Sequence, residues 1–459
     1  LPICILSGVI AAAGITAPPR IAKTAGGPEK GCCNLLIEDG HAPEEYRLDI
    51  TPERIVIGAA TSRALLYGVR TLQQILEQSG KRAPCLSIKD YPDFENRGFY
   101  HDISRGKVPR LETMKLLLEK ASHYKLNQVQ FYVEHVFEFR KNPEIWKNFE
   151  VITPDEILSL DDHARSLHID LVPSLASFGH MYEILQNPVY AGLNELSVFD
   201  AAGQMLWKNR MEYHTIDVSN EESYTLLGEM FDDYLPNFSS EWFNICCDET
   251  WYTGMDRNKA RAEREGKGNL YLGHVLRLYE MVKDRGKKVM MWGDILVKFP
   301  ELLSRLPRDI VLLNWEYGSG VSDKQSALFG SNPNVWYNCP GVWGWSKLIN
   351  TFESGSANIR RMVDYGKRYG AQGILNTDWG DYGHINPLAG SFPGMVLGAA
   401  LSWNAASPDD QNFEHMVSVL ELSDPSGKAA ELLRELGGMH ARWRIMMEGM
   451  DSPQAVSYP

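Results

Sequence analysis

The alternation of apolar and polar residues near the start of the chain predicts a small mixed domain. In residues 46–58, two β-branched runs flank a Pro-Glu turn, which is the pattern of a β-hairpin. In residues 61–78, apolar side chains recur at helical spacing and predict an amphipathic helix. We therefore predict a small N-terminal α+β domain over residues 1–93.

Downstream of residue 97, short apolar runs alternate with longer helical patterns, and this rhythm predicts a parallel sheet. Eight strand candidates favour a closed (β/α)8 TIM barrel over residues 94–407. A doubly wound open sheet is the alternative, but no glycine-rich phosphate-binding fingerprint follows the first strand. Residues 408–459 predict a helical C-terminal extension that packs on the barrel. The predicted strands are Gly98–Ile103, Gln128–Val133, Asp170–Leu175, Trp242–Cys246, Lys288–Trp292, Ile310–Asn314, Val335–Tyr337 and Gly373–Thr377, and the main predicted helices are Leu111–His123, Pro154–His168, Glu222–Leu235, Leu270–Arg285 and Ile359–Tyr369.

Residues 1–15 are apolar and rich in small residues, so they fit either the remnant of a signal peptide or a first strand and turn. They are too short and too rich in glycine to predict a membrane-spanning helix, and no other stretch of the chain predicts one. The sequence leaves the location open between the cytoplasm and export, and it does not indicate an oligomeric state.

Composition narrows the classes of partner. The formal charge of −13 and the lack of a basic stripe argue against a nucleic-acid partner, because phosphate binding needs a basic face. The seven cysteines, two pairs of them adjacent in sequence, favour reduced thiols over a disulfide framework. No Cys or His spacing resembles a zinc site, so we expect no metal and no cofactor.

The most informative motif is Asp248-Glu249, which follows the mostly apolar run 242–247. A buried strand that ends in charge is the usual way in which a (β/α)8 barrel presents catalytic groups at its carboxyl rim. Two neighbouring acids there can act as one protonated and one ionised group. A strand that ends in a solvated turn is the simpler interpretation of the dipeptide alone.

Polar and aromatic residues also follow the other predicted strands, and together they indicate a sugar pocket. Because the carboxyl ends of barrel strands meet at one rim, we expect these side chains to converge. Aromatic rings suit the apolar C–H face of a pyranose, and carboxylates and arginine suit its hydroxyls. Taken singly, each residue also fits a structural role, as a core Trp or a hydrogen-bonded His. The strand-end residues are His101, Asp102, Ser104, Arg105, Glu134, His135, His180, Trp292, Asp294, Trp315, Glu316, Tyr337, Asp378, Trp379 and Asp381.

The order and spacing of these motifs resemble the glycoside hydrolase family 20 β-N-acetylhexosaminidases over nearly the whole chain. The motifs that carry the resemblance are Tyr46-Arg-Leu-Asp-Ile-Thr, Arg97-Gly-Phe-Tyr-His-Asp-Ile-Ser-Arg105, Phe178-Gly-His180, Asn244-Ile-Cys-Cys-Asp-Glu249, Trp292-Gly-Asp294 and Trp379-Gly-Asp381. The resemblance implies exo-acting, substrate-assisted retaining hydrolysis of terminal β-linked GlcNAc or GalNAc, an exception to the scheme with two protein carboxylates. Glu249 is then the general acid and base, with a raised pKa, and Asp248 accepts the acetamide N–H.

The resemblance also implies roles for residues around the acids. Arg97 matches the arginine that grips sugar hydroxyls O3 and O4, although a structural salt bridge is its alternative. Tyr337 would bond the acetamide oxygen, and Asp381 would hold the O4 and O6 side. Trp292, Trp315 and Trp379 would wall the pocket.

Three further histidine and glutamate positions complete the prediction. His180 and Glu134 would tune the general acid without touching the substrate, and His135 stands where many members carry an acid. Cys246-Cys247 replace two glycines of the family motif, so their side chains must fit a tight strand.

Two other functions stay open at this point. A carbohydrate-binding protein without activity would keep the Trp residues but lose the acids, and both acids are present. A glycosidase with two protein carboxylates would use Glu316 or Asp378 as the second acid and would not require the acetamido group.

Overall fold

The computed structural model describes Leu6 and residues 28–79, 83–197, 211–406 and 410–439. The predictions for residues 1–15, apart from Leu6, and for residues 440–459 lie outside the described residues. The strands are β1 Cys33–Ile37, β2 Tyr46–Ile50, β3 Ile55–Ala59, β4 Leu86–Asp90, β5 Asn96–Asp102, β6 Gln128–Val133, β7 Asp170–Leu171, β8 Ser174–Leu175, β9 Trp242–Asn244, β10 Lys288–Trp292, β11 Val311–Trp315, β12 Trp336–Cys339 and β13 Gly373–Asp378. The α-helices are α1 Ser62–Ser79, α2 Leu111–His123, α3 Pro154–Ser166, α4 Tyr182–Leu185, α5 Glu221–Tyr234, α6 Lys259–Glu265, α7 Lys267–Lys283, α8 Asp294–Lys298, α9 Lys324–Gly330, α10 Phe352–Tyr369, α11 Phe392–Trp403 and α12 Asp410–Met416.

A four-stranded sheet and one helix form the N-terminal part, as the pattern predicted. The strand order is β1-β3-β2-β4, and β2 and β3 pair antiparallel as the predicted hairpin. The apolar face of α1 packs on this sheet through Leu65, Val69 and Leu72. Helix and sheet approach closely at Gly68, where a Cβ would lie 2.4 Å from the Ile57 side chain.

The second sheet is a closed parallel barrel, so the prediction of a (β/α)8 fold is confirmed and the open sheet is excluded. Its order runs β5-β13-β12-β11-β10-β9-β8-β6-β7, and β5 also pairs with β6, which closes the circle. β7 and β8 are the two halves of the third barrel strand, interrupted at Val172-Pro173. Proline has no N–H to donate to a ladder, which explains the break.

Residues alternate along each strand between the barrel interior and the surrounding helices. The interior cluster includes Tyr100, Tyr132, Met290, Leu313 and Leu375. The residues between them face the helices and belong to the larger apolar core that contains Leu117, Val129 and Leu278. This alternation decides which strand-end side chains can reach the pocket.

The described residues after the barrel pack on it. Phe413, Val417 and Ala430 join one apolar cluster with Phe94 and Ile359. Residues 429–439 are helical. None of the helices in the described ranges is long and apolar enough to cross a membrane.

Candidate active site

The two acids follow β9 on a turn, not on an extended strand. β9 ends at Asn244, and the backbone then adopts left-handed φ values of 59° at Cys246, 68° at Cys247 and 53° at Glu249. Left-handed backbone costs a non-glycine residue about 1–2 kcal/mol, and such strain clusters at functional sites. The prediction of a strand that continues to Cys246 was wrong, because the chain turns before the acids.

Neighbouring elements hold this turn in place. The Glu249 N–H donates to Asp294 Oδ2 at 3.1 Å, and the Tyr271 hydroxyl donates to the Cys247 carbonyl at 3.2 Å. Burial raises the pKa of Asp294 well above its ordinary value, and the charge of Asp248 adds to the shift. These contacts fix the direction in which the Glu249 side chain leaves the backbone.

The two acids differ in their surroundings. Burial raises the pKa of Glu249, the Asp248 charge raises it further, and His180 and Arg105 act in the opposite direction without reversing the shift. Asp248 Oδ1 is buried and has no hydrogen-bond partner among the residues that the structure describes. A carboxyl group with a raised pKa therefore stands beside a second carboxyl group that has one oxygen available to accept a hydrogen bond.

His180 joins the two acids. Its Nε2 lies 3.2 Å from Asp248 Oδ2 and 3.4 Å from Glu249 Oε2. Its Nδ1 lies 3.1 Å from Arg105 Nη2, which can only donate, so the neutral ring carries its proton on Nε2 and donates it to the acids. Burial lowers the pKa of His180, but the Asp248 carboxylate outweighs burial and the net shift is upward.

Arg105 is the arginine at this rim. It donates to Asp381 Oδ1 at 2.7 Å and to Glu134 Oε1 at 3.1 Å. Its guanidinium carbon lies 5.1 Å from the centre of the Trp379 ring. The structure thus brings Glu134, His180, Trp379 and Asp381 together around one buried guanidinium group.

Arg97 lies near the amino end of β5, whereas Arg105 follows the carboxyl end of that strand, so Arg97 cannot reach this site. Its side chain is fully buried and donates to Glu44 Oε2 at 2.7 Å and to the Tyr67 hydroxyl at 3.0 Å. It also donates to the Lys125 carbonyl at 3.1 Å. The predicted contact of Arg97 with sugar hydroxyls is corrected, because alternation and strand direction aim this arginine at the N-terminal sheet. Its alternative, a structural salt bridge, is what the structure shows.

Aromatic rings from three strand ends pack together at the site. Trp292 and Trp379 have ring centres 5.8 Å apart, and Trp315 stacks on Tyr317 at 5.2 Å. The Trp379 indole N–H donates to the Tyr317 hydroxyl at 2.6 Å. The Asp248 charge contributes to a raised pKa of Tyr317, of which burial is the larger cause. Tyr317 therefore lies within electrostatic range of the acids.

Tyr337 and His135 occupy other surroundings. Tyr337 is 3% exposed and pairs in register with Gly373, the first residue of β13. Burial raises its pKa, with contributions from Glu95 and Asp170 near the amino ends of the strands. The assignment of Tyr337 to the acetamide oxygen is corrected, since it lies inside the barrel below the rim. His135 packs against the ring of Phe149, with centres 4.3 Å apart.

Neither of the two alternative acids fits a second catalytic carboxylate. Asp378 is fully buried, accepts from the Ser391 hydroxyl at 2.9 Å and lies 2.9 Å from His101 Nδ1. Glu316 lies between pocket-facing Trp315 and Tyr317, so its side chain leaves the opposite face of the strand. Burial raises the pKa of Glu316 to about 7.

The prediction included Arg105 among the strand-end residues but assigned the sugar contact to Arg97, and it did not name Tyr317. The sequence contained a usable signal for both. Arg105 stands at the carboxyl end of β5, within the same motif as Arg97, and the carboxyl end is where barrel sites form. Tyr317 follows Trp315 by two positions, and strand alternation places such residues on one face. The role of Asp294 as acceptor for the Glu249 backbone had no local signal, because the two residues belong to different strand ends.

An acid pair and a cluster of packed aromatic rings at the carboxyl rim of a (β/α)8 barrel are typical of the class of barrel glycoside hydrolases. The profile for the catalytic domain of glycosyl hydrolase family 20 matches residues 94–418, and the profile for domain 2 of that family matches residues 7–91. The first match covers more than half of the chain, so the chain belongs to glycosyl hydrolase family 20 and the resemblance seen in the motifs is confirmed.

Curated relatives are distant in sequence. A lacto-N-biosidase of Bifidobacterium bifidum is 23% identical over 80% of this chain and 33% of its own length. Beta-hexosaminidase 1 of Coccidioides posadasii is 24% identical over 68% of this chain and 56% of its own length. Human hexosaminidase D is 23% identical over 73% of this chain and 72% of its own length. The chain therefore spans a third to just over half of the first two relatives.

Solved structures share the fold. The Flavobacterium johnsoniae chitobiase superposes with a TM-score of 0.73 at 20% identity and covers 94% of this chain and 68% of its own. The Streptomyces plicatus N-acetyl-β-hexosaminidase, solved with thio-NAglucal, has a TM-score of 0.71 at 17% identity. The superposition covers 95% of this chain and 89% of the Streptomyces chain. At these identities, the likeness concerns the fold.

Proposed function

We propose that this chain is an exo-acting retaining β-N-acetylhexosaminidase that releases terminal β-linked GlcNAc or GalNAc by substrate-assisted catalysis. The observation that carries the proposal is the difference between the two adjacent acids. Glu249 has a raised pKa and a side chain that is 26% exposed, whereas Asp248 is buried with one oxygen free to accept.

Each acid then has one role in the reaction. Glu249 protonates the glycosidic oxygen as the acetamido carbonyl oxygen attacks the anomeric carbon, and the oxazolinium intermediate forms without a protein nucleophile. Asp248 accepts the acetamide N–H and balances the positive charge that develops on the ring. Glu249 afterwards removes a proton from water, which attacks the same carbon and restores the β configuration.

The surrounding residues bind the sugar. Arg105 and Asp381 offer donors and an acceptor for hydroxyls that only a terminal sugar leaves free. The Tyr317 hydroxyl accepts the Trp379 N–H and also bonds to Thr377, and we assign it to the acetamide oxygen, to which it would donate in exchange for Thr377. Trp315 supplies apolar surface, and Trp292, which is fully buried, packs against Trp379. His180 and Glu134 position the acids and Arg105.

The test compares p-nitrophenyl glycosides of β-GlcNAc, β-GalNAc and β-glucose with wild type, Glu249→Gln and Asp248→Asn. We expect turnover of an acetamido sugar but not of glucose, and a loss of at least about 100-fold in kcat in each variant. Glu316→Gln is the matched control, because it removes a carboxyl group that follows β11, two strands away from β9, and it should keep wild-type kcat. Hydrolysis of the β-glucoside would refute acetamido assistance. Tight binding of GlcNAc without turnover of any of the three glycosides would favour a carbohydrate-binding protein.

A second measurement isolates the substrate's own nucleophile. Fluorine atoms on the acetamido methyl group withdraw electrons from the carbonyl oxygen and weaken its attack. If that oxygen forms the new bond, kcat/KM falls steadily from the acetamido to the trifluoroacetamido substrate. A flat series would show that a protein group attacks instead.

A further inference from the structure

Three buried residues that the proposed reaction does not use meet behind the carboxyl rim. His101 belongs to the end of β5, Asp378 ends β13, and His384 lies in the loop that follows. One ligand atom of each residue lies within 4.8 Å of the ligand atoms of the other two. Among the described parts of the chain, this is the one group of three or more His, Cys, Asp or Glu residues that lie so close together. All three residues are at most 2% exposed.

His384 shows that this group is not an ordinary hydrogen-bonded cluster. Both of its ring nitrogens are buried and have no hydrogen-bond partner within the described residues. Its backbone is also left-handed, with φ of 48°. An unpaired buried polar group and a left-handed non-glycine residue each cost free energy. A neutral imidazole with an unpaired ring nitrogen offers the lone pair that a metal needs.

His101 and Asp378 have the other atoms that could ligate a metal ion. His101 Nδ1 lies 2.9 Å from Asp378 Oδ2, and Asp378 Oδ1 accepts the Ser391 hydroxyl at 2.9 Å. That hydroxyl orients the carboxylate in the way that outer hydrogen bonds orient the ligands of metal sites. Asp102 is a further negative group close enough to act on His384, and Lys107 is the neighbouring cation.

We propose that His101, Asp378 and His384 bind one divalent transition-metal ion, Zn²⁺ by preference. Two imidazoles and one carboxylate are a ligand set that zinc takes in proteins, at about 2.0–2.2 Å from each donor atom. Calcium and magnesium are disfavoured, because they prefer oxygen ligands.

The ion ties the loop after β13 to β5 beneath the pocket. Within that loop, the Gly380 N–H donates to Asp102 Oδ2 at 3.0 Å, and Asp381 binds Arg105. The ion thus fixes the loop that carries one of the proposed sugar contacts. It takes no part in the chemistry at Glu249, so the proposal does not depend on the proposed function.

The test measures metal binding by the full chain. Protein stripped with EDTA and transferred to chelator-free buffer is titrated with ZnCl2 by calorimetry, and bound zinc is counted by mass spectrometry after gel filtration. We expect one zinc per chain, a higher Tm with zinc, and at least about 100-fold weaker binding in His384→Ala. Because the His384 ring has no hydrogen-bond partner to lose, this variant is expected to fold.

His41→Ala is the matched control. His41, in the loop between β1 and β2, lies 2.8 Å from Glu45 and 3.5 Å from Glu38, so it could bind adventitious metal, and its loss should leave the stoichiometry at one. If His384→Ala does not fold, Co²⁺ added to the stripped wild type still gives a test, since imidazole ligation produces a visible absorption band. Absence of zinc binding by wild type, or unchanged binding by His384→Ala, would overturn the proposal.

Discussion

Replacement of Arg97 by Met should destabilise the protein without weakening its active site. Arg97 is fully buried, and its guanidinium group pairs with Glu44 at 2.7 Å, where the Glu44 side chain is 14% exposed. Its cation also lies 5.1 Å from the ring centre of Trp403. Methionine retains most of the apolar stem but leaves the half-buried Glu44 carboxyl group with only the longer ion pair to Arg63, at 3.4 Å.

The expected loss follows from the broken ion pair between Arg97 and Glu44. Removal of one partner of a buried ion pair costs about 3–5 kcal/mol. With an unfolding entropy of about 2.1 cal/mol/K per residue, a chain of 459 residues loses roughly 1 °C in Tm for each kcal/mol, so we expect a decrease of roughly 4 °C. Arg97→Met with Glu44→Gln removes both charges and should recover part of that loss.

The decrease should depend on pH with a defined sign. Burial raises the pKa of Glu44, but Arg97 outweighs burial and holds it below the ordinary value of 4.5. A carboxyl group with a lowered pKa stabilises the fold above its unfolded pKa and loses that effect as the pH falls through its folded pKa. The Tm difference between wild type and Arg97→Met should therefore shrink below about pH 4.5.

The assay pairs calorimetry with kinetics, and Arg105→Lys is the comparison. The lysine retains the charge of Arg105 but loses the fork that holds Glu134 and Asp381, so kcat/KM should fall at least about tenfold. Arg97→Met should leave KM within about twofold of wild type at a temperature where the variant is folded. KM rises when a contact with the substrate is lost, and Arg97 makes no such contact. An unchanged Tm with a raised KM in Arg97→Met would refute the structural assignment of Arg97.

Three further predictions follow from the site. The pH profile of kcat/KM should fall on its alkaline side through the raised pKa of Glu249, and Asp248→Asn should move that fall to lower pH, because it removes one of the charges that raise this pKa. Trp379→Phe removes the N–H bond to Tyr317, worth about 1 kcal/mol, and should raise KM roughly fivefold in steady-state assays. Glu316→Gln should raise Tm by roughly 1–2 °C at pH 8 but not at pH 4, because a carboxyl group whose pKa is raised to about 7 destabilises the fold as the pH rises through that value.

Local patterns sufficed for the elements of this fold. The predicted helix Leu111–His123 and strands Gln128–Val133 and Lys288–Trp292 agree with the structure to the residue. Apolar periodicity is a property of neighbouring residues, so it survives in the sequence alone. The end of β9 at Asn244 could not be predicted in this way. The left-handed turn through Cys246 and Cys247 is held by Asp294 and Tyr271, which belong to other parts of the barrel.

Family membership and the acid pair were also visible in the sequence, since Asp248-Glu249 and the Trp-Gly-Asp motifs are contiguous. The tertiary structure alone decided which polar residues share a site. Arg97 and Arg105 belong to one strand motif, yet strand direction sends one to the N-terminal sheet and the other to the rim. His101 and His384 are far apart in the chain and meet only because β5 and β13 close the barrel, a non-local pairing that no spacing along the sequence encodes.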